Sequence, residues 1–125
     1  MRPADDPPRE GRPADWRDAG PLADFPADET SGVAFDLPDG RRLAVVVVQR
    51  GGRFFALHDR CPHRGAPFSE LGLVDEGGNL LCGWHHWAFR LEDGGHTEVE
   101  GIAVCTFPTR VSGDRLEIDV SRPPR

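Results

Sequence analysis

The sequence predicts an all-β protein, with a small antiparallel β-sandwich or barrel as its base, on three observations. Short apolar runs recur along the chain from residue 33 onward. Glycine-bearing separators lie between them and supply the positive-φ positions that hairpin turns demand. No long stretch repeats its apolar residues at the 3.6-residue period of a helix.

Taken in order, residues 1–14 carry Pro3, Pro7, Pro8 and Pro13 among acids and arginines, and are expected to form a disordered tail, since they cannot bury enough apolar area to offset their ordering entropy. One domain is expected over 15–120, with a tail at 121–125. Within it the runs 33–37, 43–49, 53–57, 80–82, 88–91, 102–107 and 115–120 read as strands. Asp39-Gly40, Gly51-Gly52, Gly77-Gly78, Gly94-Gly95 and Gly113-Asp114 read as turns. No internal repeat is visible.

At 125 residues and 13.8 kDa the chain suits a single core, and a second catalytic domain is not expected. The apolar run 45–48 is far short of the ~20 residues of a membrane span, so no membrane association is expected. Met1-Arg2-Pro3-Ala4-Asp5-Asp6 lacks the pattern of a secretory leader, which points to the cytoplasm. Residues 1–30 hold eight acids against four arginines, so −4 of the net −6 falls there and the body is nearly neutral. No basic stripe neutralises phosphates, which excludes nucleic acid as a partner. A near-neutral body of this size is expected to be a monomer. Three cysteines in a chain without an export signal argue for a metal site or free thiols rather than a disulfide framework.

Those cysteines locate the chemistry. Cys61-Pro62-His63-Arg64-Gly65-Ala66-Pro67 and Cys82-Gly83-Trp84-His85-His86-Trp87 place C-x-H and C-x-x-H in a segment where a plain sandwich needs only turns. Two thiolates and two imidazoles suit Zn²⁺ or an iron–sulfur cluster. In an extended loop, side chains at i and i+2 stand roughly 6.5 Å apart. That is wide for two ligands of one tetrahedral ion, and two sulfide-bridged irons relax the conflict if each loop gives its cysteine to one iron and its histidine to the other.

C-P-H-R-G-A-P and C-x-W-H-x-W-x-F resemble the two cluster loops of Rieske-type [2Fe–2S] proteins, and the likeness spans about residues 15–120. It implies a cluster-binding subdomain at about 58–90, in which Cys61 and Cys82 hold an inner iron and His63 and His85 an outer one. The turn at Phe107-Pro108 is similar to the family's proline-bearing third loop, which covers the cluster. Two thiolates and two neutral imidazoles give the assembly a charge of zero, becoming −1 on reduction, against −2 and −3 for four thiolates. Reduction is therefore easier, consistent with about −150 to +300 mV for His-ligated centres against about −400 mV for plant-type ferredoxins. Exposed ring nitrogens of His63 and His85 would offer the electron's way out.

High-potential members of that family add a cysteine to each loop, forming a disulfide, and donate Ser and Tyr hydroxyls to sulfur. This sequence has Gly65-Ala66 and Gly83-Trp84 where those cysteines would lie, Trp87 and Phe89 at the hydroxyl positions, and no Tyr. The low-potential, oxygenase-associated branch is expected. Of the remaining residues, Cys105 reads as a small buried hydrophobe, His58 and His96 as solvent-facing, and Trp84 and Phe89 as a shield over the cluster, with Trp87 and Phe68 shielding it or docking a partner. Arg60 and Arg64 read as rim charges or plain solvated side chains. His86 stands where the family has Gly, as a strained but exposed residue.

The implied function is that of a ferredoxin passing single electrons from a flavoprotein reductase to a terminal oxygenase of the aromatic-ring-hydroxylating type, a carrier and not an enzyme. Two alternatives stay open. One is the small subunit of an assimilatory nitrite reductase, whose large subunit would be the acceptor. The other is a Zn-stabilised interaction module.

Overall fold

The computed structural model of the protein describes residues 13–62, 65–83 and 87–124. Expectations resting on residues 1–12, His63, Arg64, Trp84, His85, His86 and Arg125 lie outside these. Strands are the dominant regular structure of the described chain and form three antiparallel sheets.

The run Leu43-Ala44-Val45-Val46-Val47-Val48 explains the architecture. Successive side chains of a strand point to opposite faces, so a strand apolar at every position must be covered on both sides. β3 (Arg42–Arg50) is covered in this way. Val45 and Val47 enter one buried cluster with Phe25, Phe35, Leu116 and Ile118. Val46 and Val48 enter a second, with Leu57, Cys61, Cys82 and Phe89. β4 (Arg53–His58) repeats the division, and its antiparallel register sets Val46 opposite Leu57 and Val47 opposite Ala56, partners that share a face. With β2 (Ser31–Asp36) and β8 (Thr106–Phe107), these strands form a central sheet in the order β2-β3-β4-β8.

On one face lies the base of the sandwich. β10 (Arg115–Asp119) pairs with both β1 (Trp16–Pro21) and β9 (Thr109–Ser112), and it turns Leu116 and Ile118 into the first cluster. A bulge between Asp18 and Gly20 bends β1, with Gly20 at φ +123°. On the other face sits a smaller sheet, β5 (Leu73–Val74), β6 (Asn79–Leu81) and β7 (Ala88–Arg90), whose facing residues Leu80 and Phe89 are fully buried in the second cluster. A one-turn helix α1 (Phe68–Leu71) precedes β5.

The all-β expectation is borne out, with differences in detail. β1, β5 and β9 are strands outside the predicted runs. Of the run 102–107 only Thr106–Phe107 is a strand, while Ala103 makes an isolated bridge to Gly95. Phe107 packs in the base cluster, and the residues of that stretch turned toward the cysteines are Ile102 and Val104. The proline turn at 107–108 therefore supports the base. Pro108 accepts the Asp119 N–H at 3.0 Å.

Candidate metal centre

Each cysteine opens a loop whose ends are tied by its own backbone. After β4, the Cys61 N–H donates to the Ala66 carbonyl at 2.8 Å and the Gly65 N–H returns to the Cys61 carbonyl at 2.7 Å. Gly65 turns the chain back at φ +77°, a conformation that costs glycine little. The second loop is closed where the Cys82 N–H donates to the Trp87 carbonyl at 2.9 Å.

A carboxylate braces the first loop from below. Asp59 accepts the Ser69 N–H at 2.8 Å and the Ser69 hydroxyl, joining the strand end before the loop to the helix after it. Asp59 is itself held to β3 by its N–H, which donates to the Ala44 carbonyl at 3.0 Å. The second loop rests on α1, backbone against backbone. A β-carbon on Gly83 would meet the Leu71 carbonyl oxygen at 1.8 Å, and one on Gly72 would meet that of Leu81 at 2.7 Å. The helix that follows the first cysteine loop is thus the floor of the second.

These supports bring Cys61 and Cys82, 21 residues apart in the chain, into one buried cluster, at 0% and 2% exposure. No disulfide is present among the described residues. A bound metal would take each thiol as a deprotonated ligand and offset its charge. Two inward thiols, each at the mouth of a closed loop that also contains a histidine in sequence, fit the donor set of a metal cluster. His63 and His85 lie outside the described residues, and no group of three metal-binding side chains assembles among the rest.

Around the thiols stands a chain of rings. Phe68 meets Phe89 edge-on at 5.8 Å, Phe89 meets His96 at 5.4 Å, and His96 meets Trp87 at 5.0 Å. His96, expected in solvent, is buried at 8% exposure. The reason is tertiary: its turn folds back on β7, where Thr97 N–H bonds the Ala88 carbonyl at 2.9 Å, so the ring falls between Trp87 and Phe89. His58 is half-buried rather than solvent-facing. Burial, and next the charge of Arg60, hold its imidazole below the ordinary histidine range. Cys105, expected buried, is half-buried and packs against the base cluster rather than the one that holds the other two cysteines, and burial pushes its thiol pKa up. Arg60 is exposed, which fits a rim charge and a plain solvated side chain alike.

Sequence reasoning missed His96, the Asp59–Ser69 brace and the floor made by Leu71. All three depend on contacts between separate elements, and no local pattern marks the first two. Gly83 was the readable signal for the third, because glycine is the residue that lets another backbone approach closely.

Comparison with known proteins identifies the family. The model of the Rieske [2Fe-2S] domain matches residues 15–108. The ferredoxin component of an alkene monooxygenase system from Xanthobacter autotrophicus is 33% identical over 90 residues, 72% of this chain and 73% of that one. The ferredoxin component of a p-cumate 2,3-dioxygenase system from Pseudomonas putida is 34% identical, covering 70% and 73%. A structure described as an NADH-dependent nitrite reductase small subunit from Mycobacterium tuberculosis superposes with a TM-score of 0.72 at 25% identity, covering 90% of this chain and 99% of that one. Other relatives are much longer: the chain covers 14% of the chloroplast pheophorbide a oxygenase of Oryza sativa, which is 35% identical over 68% of this chain. No helix among the described residues is long and apolar enough to cross a membrane.

Proposed function

From the premise that the chain belongs to the Rieske [2Fe-2S] domain family, we propose that it is a one-electron carrier whose single cluster is held by Cys61, His63, Cys82 and His85. The observation that carries the reading is the convergence of Cys61 and Cys82, each at the start of a backbone-closed loop, in one buried cluster. When bound, the cluster supplies reversible storage of one electron. The protein's own residues supply the rest. The closed loops fix where the sulfur donors stand, Asp59 and Leu71 support those loops from beneath, and Phe68, Phe89 and Val104 keep water from the cysteines.

The potential belongs to the low branch. No third cysteine approaches the loops, because Cys105 packs against the base. Trp87 and Phe89 stand where hydroxyl donors would raise the potential by hydrogen bonds to sulfur.

The donor is a flavoprotein reductase and the acceptor a terminal oxygenase of the ring-hydroxylating type, with the carrier a cytoplasmic monomer. For the acceptor, support comes from the relatives named as ferredoxin components of oxygenase systems, of each of which this chain covers 73%. The resemblance to the nitrite reductase small subunit favours a second acceptor, the sirohaem-bearing large subunit of such an enzyme. Stopped-flow mixing separates them. Dithionite-reduced protein is expected to be reoxidised by a terminal oxygenase and not by a nitrite reductase large subunit; the reverse pattern overturns the first assignment in favour of the second.

A further inference from the structure

Among the buried polar side chains, His96 has no part in the ligand set, yet it lies against the exit of the second cysteine loop. We infer that His96 is a positioning residue for that loop, bracing Trp87, whose carbonyl closes the loop on the Cys82 amide. The inference deepens the carrier reading and rests on it for its electronic consequence, though not for its structural one.

The hydrogen bonds fix the ring first. His96 Nδ1 accepts the N–H groups of Glu98 and Val99 at 3.0 and 3.2 Å. An imidazole nitrogen that accepts carries no proton, so the neutral ring bears its hydrogen on Nε2. Two donors converging on one ring atom also leave the ring no free rotation. The backbone is held as firmly: the His96 N–H donates to the Ile102 carbonyl at 2.9 Å, and His96 bridges Phe89 on β7.

The fixed ring then meets its neighbours edge-on, Trp87 at 5.0 Å and 76°, Phe89 at 5.4 Å and 79°. Phe89 continues to Phe68 at 5.8 Å, the first residue of the helix that follows the first loop. One continuous row of rings thus runs from the exit of the first loop to the exit of the second, with His96 as the member whose ring is itself hydrogen-bonded to backbone. Trp87 is the only one of these rings whose own carbonyl receives a cysteine amide, at 2.9 Å. Trp87 also touches Phe89, at 6.4 Å, so displacing the His96 ring removes the nearer of its two ring contacts and loosens the amide beside the Cys82 sulfur.

Two substitutions separate the ring from its hydrogen bonds. His96→Asn keeps an acceptor at the place of Nδ1 and removes the ring; His96→Phe keeps a ring and removes the acceptor. In His96→Asn, amide exchange at Cys82 is expected to accelerate several-fold while exchange at Val46 in β3 stays unchanged, and the visible circular dichroism and reduction potential of the reconstituted protein shift. His96→Phe is expected to melt at lower temperature yet keep the Cys82 exchange and cluster spectrum of the parent. Should His96→Asn not fold, Trp87→Leu removes the other ring of the contact and is expected to give the same local acceleration. Parent-like exchange and spectrum in His96→Asn or Trp87→Leu overturn the inference, as does an equal shift in His96→Phe. A parent protein that takes up no iron and sulfide overturns the carrier reading instead, leaving the exchange measurement to decide the positioning role.

Discussion

Gly83 lies against Leu71 so closely that a β-carbon on it would stand 1.8 Å from the Leu71 carbonyl oxygen. The obstacle is backbone in a helical turn, not the mobile end of a side chain, so it cannot swing aside. Overpacking of this kind typically costs about 1–3 kcal/mol. Gly83→Ala is therefore expected to lower the melting temperature by roughly 4–8 °C per kcal/mol and to reduce iron retention. A control at Gly40, where a β-carbon meets nothing within 4 Å, bears only the strain of its positive φ and is expected to keep its iron.

The brace between Asp59 and Ser69 makes a second expectation. Asp59→Ala leaves the Ser69 N–H and hydroxyl without their acceptor, at a cost of about 1–3 kcal/mol for part-buried groups. Asp59→Asn retains an oxygen for the Ser69 N–H and is expected to lose less. Urea midpoints of the two variants at constant m-value check the order.

His58 gives the stability an acid-side slope. Its folded-state pKa is depressed, first by burial and then by Arg60, while the unfolded chain takes up the proton near pH ~6.5. In the window just below that value the unfolded state binds more protons, so stability rises with pH and is lost on acidification. His58→Gln is expected to flatten the fall in melting temperature from neutral pH to about pH 5. An unchanged slope would place the effect on other groups.

The three cysteines should separate cleanly. Cys61→Ser and Cys82→Ser, at 0% and 2% exposure in the site cluster, are expected to abolish the visible absorption of the reconstituted protein. Cys105→Ser, packed against the base, is expected to leave it intact. Absorbance at equal protein concentration reads all three.

How much of this was legible in sequence follows from where the information lies. The run 43–49 announced a strand because a pleated element apolar at each position needs two coats, and β3 has them. The two cysteine loops were legible as C-x-H and C-x-x-H because ligand spacing is local. β1 was not, since Trp16-Arg17-Asp18-Ala19-Gly20-Pro21 has little strand propensity and is held by its pairing with β10. His96 sits in a glycine-rich turn whose composition reads as solvent-exposed; contact with Trp87 and Phe89, set by the return of the chain onto β7, buries it. Asp59 and Ser69, ten residues apart, carry no pattern that distinguishes them from surface polar residues.

The central claim is that two buried thiols and two loop histidines hold a bridged pair of irons. Iron and acid-labile sulfide analysis of anaerobically reconstituted protein, with electron paramagnetic resonance before and after dithionite, tests it most directly. The account predicts two irons and two sulfides per chain, and a signal that appears only on reduction while the visible absorption bleaches. A colourless protein that binds one zinc, without sulfide and without a signal in either state, would contradict it.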